Sequence, residues 1–293
     1  MGILALVAAV ASAASLQPAR YVVAYRPICI PTDAKTTALR WNLGLRVEFR
    51  YRTIFDGFAA TLTPRQADAL RSDRDVEWEL PQGAQFVVGS SEADGVEPEL
   101  RFARALHAFA AHLTAAQLAS LEAAGAKWAR PDPWVYIVLY RDGVPAHAKT
   151  DELAARLGFT PRHYYDTLGG FSAVLTSEQL AALDRDPDVQ TIGPNAAARW
   201  CEPPPRPAVL AWETAPNPPR AGRDFAARAV VPTVRRPHCL ATVGPRRLRV
   251  REASVRAFVV TCRWRVPRAA RGRVLRATLE AEGARRSFAF SVR

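Results

Sequence analysis

Three stretches of the chain repeat one alternation of apolar and polar positions. They are Ile54-Phe55-Asp56-Gly57-Phe58-Ala59-Ala60-Thr61-Leu62-Thr63, Ala105-Leu106-His107-Ala108-Phe109-Ala110-Ala111-His112-Leu113-Thr114 and Thr167-Leu168-Gly169-Gly170-Phe171-Ser172-Ala173-Val174-Leu175-Thr176. The alternation predicts a strand in each, with Phe58, Phe109 and Phe171 as core residues. Each run ends in a Thr-x-x-Gln tetrapeptide at Thr63–Gln66, Thr114–Gln117 and Thr176–Gln179. That is a capping box: the threonine oxygen accepts the amide of the third helical residue, and the glutamine reaches back to the cap. Pro64 suits a first helical position, where an amide would have no partner. Apolar pairs at helical spacing follow (Ala67/Leu70, Leu118/Leu121, Leu180/Leu183), so a core-facing helix is predicted after each box. After the first and third helices, Asp75-Val76 through Pro81 and Asp188-Val189 through Pro194 read as short strands.

The first and third copies also match upstream. Tyr21-Val22-Val23-Ala24-Tyr25 parallels Tyr136-Ile137-Val138-Leu139-Tyr140, each an aromatic-flanked apolar strand. Ala34-Lys35-Thr36 with Leu43-Gly44 parallels Ala148-Lys149-Thr150 with Leu157-Gly158, a helix stopped by glycine. Each complete unit therefore reads β-α-β-β-α-β. The middle copy leaves only 14 positions from Phe86 to Leu100. These are too few for a strand, a helix and two loops, so a degenerate half-unit is expected there. Asp56-Gly57 and Gly169-Gly170 read as tight turns that need positive φ.

Prolines crowd residues 202–220, and a stiff extended linker is expected. Beyond it the helical period disappears. Phe258–Val266 and Arg286–Val292 alternate at period two, which predicts a small all-β sandwich. The expected organisation is a leader at 1–14, a module at 20–88, a half-module at 89–133, a second full module at 134–199, a linker at 200–220 and a β-module at 221–293. The fold class expected is α+β.

Charge changes the picture of possible partners. The 293 residues carry a formal +12, which invites a nucleic-acid interpretation. The charge is not shared evenly, however. Residues 199–293 hold 21 arginines, no lysine and six acids, whereas residues 1–198 hold 19 basic and 22 acidic residues. A slightly acidic body thus carries a basic tail. The tail's arginines are spread over strands and loops without aromatic interleaving, so specific nucleic-acid binding is not expected. Salt-sensitive adhesion to an anionic cell-surface polymer is. No apolar run reaches the roughly 18 residues of a membrane span.

Ile3–Val10 is an apolar run followed by Ala11-Ser12-Ala13, which has the form of a secretory leader although no basic residue precedes it. Secretion or attachment to the cell surface is expected, with a buried N-terminal element as the alternative. In that setting Cys239 and Cys262, 23 residues apart on predicted strands, should form a disulfide. Cys29 and Cys201 either pair and clamp the body or stay apart. The five histidines have no nucleophile or metal-ligand spacing around them, so surface roles are expected, without metal or cofactor.

The repeat resembles the subtilisin-propeptide family, peptidase inhibitor family nine. The residues that carry the likeness are the Tyr-Val-Val strand, the Gly-Phe-Ala/Ser-Ala-x-Leu-Thr strand entering a helix with x-x-Gln-x-x-x-Leu, Asp-x-x-Val, and a last strand that ends at proline. Residues 20–82 and 135–196 match throughout, and 98–132 match the second half. The resemblance implies ferredoxin-like modules that assist and inhibit a subtilisin-like serine peptidase, with the segment after the last strand lying in its cleft. The segments at that place are Asn195-Ala196-Ala197-Ala198-Arg199 and, second, Gln82-Gly83-Ala84-Gln85. Small side chains suit narrow subsites in the first. Family precursors continue into a catalytic domain, and this chain does not. It lacks Asp-Ser/Thr-Gly and His-Gly-Thr, and Met1 is its one methionine, so Gly-Thr-Ser-Met is excluded. No catalytic residue is therefore expected. The tail, around Thr261-Cys262-Arg263-Trp264, resembles immunoglobulin-like repeats appended to secreted actinobacterial proteins. The function expected is peptidase inhibition, or else a structural and adhesive role in which the modules are scaffold.

Overall fold

The computed structural model describes residues 17–26, 30–90, 95–195, 209–232, 237–281 and 283–293. The chain is α+β. Its first unit runs β1 (Ala19–Tyr25), α1 (Thr32–Leu43), β2 (Arg46–Tyr51), β3 (Gly57–Leu62), α2 (Pro64–Arg71) and β4 (Val76–Pro81). The strands form one antiparallel sheet in the order β2-β3-β1-β4.

The middle unit differs from the expected half-unit. It holds β5 (Gln85–Val88), β6 (Leu100–Phe102), β7 (Ala108–His112), α3 (Ala115–Ala123) and β8 (Ala129–Pro131), in the order β6-β7-β5-β8. All four strands are present, and only the first helix has no counterpart among the described residues. The short span from Phe86 to Leu100 suffices because it needs to carry only a loop and a strand. The first unit accordingly ends at Pro81, since Gln85–Val88 belongs to the middle sheet. The third unit has β9 (Trp134–Tyr140), α4 (Ala146–Leu157), β10 (Pro161–Tyr165), β11 (Gly170–Leu175), α5 (Ser177–Arg185) and β12 (Val189–Pro194). Its order is β10-β11-β9-β12, the arrangement of the first unit.

Local signals explain these elements. Thr63, Thr114 and Thr176 each accept the amide three residues on, and the glutamine side chain accepts the cap amide in return. Each box contributes about 1 kcal/mol. α1 and α4 stop at Gly44 and Gly158, both left-handed (φ +67° and +72°). Phe58, Phe109 and Phe171 are buried. Gly57 and Gly170 are glycine for a reason other than the expected turn conformation. A Cβ there would lie 2.1 Å from the Val23 carbonyl oxygen and 2.2 Å from that of Val138. Close approach of neighbouring strands, not positive φ, forbids a side chain. Positive φ falls on Gly169 instead.

The units stack in one direction. The helix-free face of the first sheet (Val22, Ala24, Ala59) shares a core with Phe86, Val88 and Phe109 of the middle unit and with Leu118 and Leu121 of α3. The first sheet thus covers the side of the middle sheet that has only one helix. The other face of the middle sheet (Val87, Ala108, Ala110) joins Leu180 and Leu183 of α5.

The tail holds two four-stranded antiparallel sheets around one core. One orders β13 (Ala211–Ala215), β14 (Asp224–Val230), β18 (Val259–Arg265) and β17 (Val250–Arg256) as β13-β14-β18-β17. The other is β16-β15-β19-β20, from β15 (His238–Val243), β16 (Arg246–Arg247), β19 (Val274–Ala281) and β20 (Ala284–Ser291). β13 lies inside the span expected to be linker. Its residues pair with β14 in register, so the prolines at 216, 218 and 219 belong to a connection within the module. The β17–β18 turn places Ala257 and Phe258 at φ +45° and +66°, where side chains crowd the backbone. Phe258 joins Leu210, Ala211 and Val230 in packing against Ala34, Ala38 and Trp41 of α1, so the module rests on the body through β13, β14 and this turn.

The expected disulfide joins Cys239 to Cys262, one from each sheet, above the buried Trp264. Closing a 23-residue separation should contribute about 3 kcal/mol. Calorimetry of the Cys239→Ser, Cys262→Ser double variant is expected to show a lowered module transition with the body transition unmoved. Cys29 and Cys201, the expected leader, and Ala196, Ala197, Ala198 and Arg199 lie outside the described residues.

Candidate functional site

Covering of the first two sheets leaves one sheet face without a neighbour. On β9, Tyr136, Val138 and Tyr140 point to the core beneath α4 and α5, and Val135, Ile137 and Leu139 point away. Register places Val174 beside Val135, Ser172 beside Ile137 and Gly170 beside Leu139. His163 and Tyr165 of β10 extend this face, their rings 4.8 Å apart. Val135, Ile137, Leu139 and Val174 are partly exposed and join none of the five apolar clusters of the described residues. Their counterparts Val22 and Ala24 in the first unit, and Val87 in the middle one, are fully buried. Leu168, at the tip of the β10–β11 turn, is 64% exposed.

Asn195, the first residue of the segment expected to enter a peptidase cleft, donates its amide to the Val135 carbonyl (2.8 Å) one residue past the end of β12. The second candidate segment is placed differently. Gln82 donates to Arg20, Gly83 donates to Leu113, and Gln85 already pairs with His112 in the middle sheet. Gln82-Gly83-Ala84-Gln85 is therefore a tight connection between two units, with its backbone engaged.

Lysine is rare in the chain, and two of its three copies have the same structural use. Lys35 Nζ reaches Asp73 (2.8 Å) and Asp75 (2.6 Å). Lys149 Nζ reaches Asp186 (3.3 Å) and Asp188 (2.9 Å). Each ties a first helix to the turn before the last strand. Beside them Tyr25 and Tyr140 hydroxyls bond Thr36 and Thr150. Burial pushes the Tyr140 phenol up to about 12, so it remains a neutral partner. Sequence comparison aligns the lysines and the Asp-x-Asp-Val segments of the two copies but does not show that they meet, because 38 and 37 residues separate each lysine from its first aspartate.

The histidines have surface roles where they are bonded. His112 meets Glu99 at 2.5 Å, and His147 meets Asp166 at 2.6 Å while stacking on Tyr164. Among the described residues no group of three or more His, Cys, Asp or Glu is placed to hold a metal, and no helix is long and apolar enough to cross a membrane. Comparisons with protein-family models, with curated proteins and with solved structures find no match.

Proposed function

We propose that the protein is a non-catalytic binder of subtilisin-like serine peptidases built from ferredoxin-like propeptide-type units, and that its third unit is the one that engages the target. The observation that carries this reading is the helix-free face of the third unit's sheet, formed by Val135, Ile137, Leu139 and Val174, which among the described residues of the three units is the sheet face left without a packed neighbour. The recurrent strand order and the three capping boxes support the resemblance to inhibitor family nine. In that family's manner the sheet would rest on the peptidase surface, and the residues after Asn195 would add a strand in the cleft. The first two units, whose equivalent faces are buried, would act as scaffold. The immunoglobulin-like tail would attach the assembly to an anionic surface in a secreted or cell-surface setting.

Titration of the purified protein against a panel of subtilisin-like peptidases tests this. Saturable inhibition by intact or nicked protein is expected. Ile137→Arg should weaken it about a hundredfold, because a desolvated arginine would face an apolar contact. Absence of inhibition at micromolar protein would overturn the proposal. Inhibition that is indifferent to Ile137→Arg would overturn the assignment to the third unit.

A further inference from the structure

A second surface feature lies where the three units of the body meet. A cleft of about 330 Å³ opens between the turn before β3, the ends of β4 and β8, and the first residue of β9. Its walls include three indoles, Trp78, Trp128 and Trp134. Trp78 is held edge-on between Phe55 (5.1 Å) and Phe86 (5.8 Å), and Trp128 is held edge-on to Tyr136 (6.4 Å). Gly89 allows Trp128 to lie this close, since a Cβ there would come within 2.3 Å of the ring. The aromatic walls are thus fixed by packing before any ligand arrives, which lowers the ordering cost of binding.

The cleft carries three cations, Arg52, Lys127 and Arg130, and two carboxylates, Asp56 and Glu77; Arg52 is paired with Asp33 (2.7 Å). The Arg130 guanidinium stands 6.0 Å from the Trp134 ring centre and donates to the carbonyls of Ile54 (3.1 Å) and Ala129 (2.8 Å). Among the described residues no carboxylate lies within 4.0 Å of Arg130 or of Lys127. Lys127 is also the one lysine not committed to an aspartate pair. The Trp134 indole N–H is shielded from solvent and has no acceptor. Burial holds Arg130 below its usual range, because its charge is poorly solvated there. Burial likewise holds the Glu77 carboxyl up, against the attraction of Arg130 and Arg26, so Glu77 is a weak counter-charge. A half-buried guanidinium whose hydrogen bonds go to neutral carbonyls is incompletely compensated, and a ligand that brings an anion to it improves that compensation.

We infer that this cleft is a binding site for a carboxylate carried on a flat apolar body, with Arg130 and Lys127 receiving the carboxylate and the three indoles receiving the ring. The volume is at the lower end for small-molecule sites, enough for one aromatic residue or acid. Two sources share this chemistry: a free aromatic acid, and the C-terminal residue of a cleaved peptide. Pro194 and Asn195 also line the cleft, where the segment proposed to enter a peptidase begins, but Val135, Ile137, Leu139 and Val174 do not, and a small-ligand test needs no peptidase.

The experiment is calorimetric and fluorescence titration of the full chain with N-acetyltryptophan, N-acetyltryptophan amide, indole-3-acetate and the tripeptide acetyl-Ala-Ala-Trp. Saturable binding of the carboxylates with quenched tryptophan emission is expected, and the amide should bind at least about tenfold more weakly. Indole-3-acetate binding as well as the tripeptide would identify a free acid as sufficient, whereas preference for the tripeptide would identify a peptide C-terminus. Arg130→Met and Lys127→Met should each weaken carboxylate binding about tenfold. Lys127 is exposed, so its variant remains informative even if Arg130→Met fails to fold. Equal binding of acid and amide, no saturation in the millimolar range, or full affinity in Lys127→Met with Arg130→Met folded and unaffected would overturn the assignment.

Discussion

Asp184→Ala is expected to detach the second unit from the third and to lower the stability of the body by about 4 kcal/mol. The buried Asp184 carboxylate accepts three consecutive amides of the β6–β7 turn: Arg104 (3.3 Å), Ala105 (2.6 Å) and Leu106 (3.2 Å). In return the Arg104 side chain donates to the carbonyls of Asp184 (2.7 Å), Asp186 and Val189 (3.2 Å). Alanine would leave three amides in the interface without an acceptor, and hydrogen bonds to a charged group are the stronger kind. Differential scanning calorimetry should show the body transition lowered and broadened while the disulfide-linked module is unchanged. Asp184→Asn, which retains one acceptor oxygen, should fall between. An Asp184→Ala melt that coincides with that of the native chain would show that the apolar contacts of α5 suffice alone.

Lys149→Met should destabilise the third unit by about 1–2 kcal/mol, since it leaves the nearly buried Asp186 with Arg156 (3.2 Å) as its remaining cation and Asp188 without its ammonium. The native pair also sets a pH window. Burial alone would raise the Asp186 carboxyl, but the Asp188 amide, Lys149 and Arg156 outweigh it and hold it below the usual range. Its contribution is therefore present above the unfolded value near 4 and is lost as pH falls through the lower folded value. The Lys149 ammonium is held above its usual range, chiefly by its hydrogen bond to Asp188. That contribution is complete below the unfolded value near 10.4 and is lost as pH rises through the folded one. Melting temperatures should be flat from about pH 5 to 9 and fall on both sides. In Lys149→Met the high-pH fall should diminish, and the acid fall should become smaller because the folded Asp186 value moves back toward the unfolded one. An unchanged pH profile in the variant would remove the pair from any role in stability.

Recognition of the units from sequence succeeded where the signal is local. A capping box, a glycine stop and a strand ending at proline depend on a few adjacent residues; all three copies kept the box and the proline end, and the first and third kept the glycine stop. The middle unit was harder, because a missing helix in sequence resembles a missing half. Only strand pairing shows that β5 and β6 complete a four-stranded sheet. Residues 211–215 were hidden in a similar way by the flanking prolines, which mark both linkers and connections between strands.

The candidate site divides along the same line. Asn195 and the strand before it were legible, but the uncovered face was not. Val22-Val23-Ala24 and Ile137-Val138-Leu139 are apolar on both sides of the strand, and period-two alternation cannot say which side meets a neighbour. Packing of the middle unit decides this: it buries the outer face of the first sheet and is itself buried by α5, so of the three units' sheets the third keeps an open face among the described residues. The three indoles with Arg130 and Lys127 likewise span residues 78 to 134 and converge only through stacking. By itself the sequence determined the repeated units, their helix starts and stops, and the cysteine pair of the tail, since each follows from local geometry. Tertiary structure alone decided which faces are covered, which cations have partners and where a ligand could sit, because burial is a property of whatever packs on the other side.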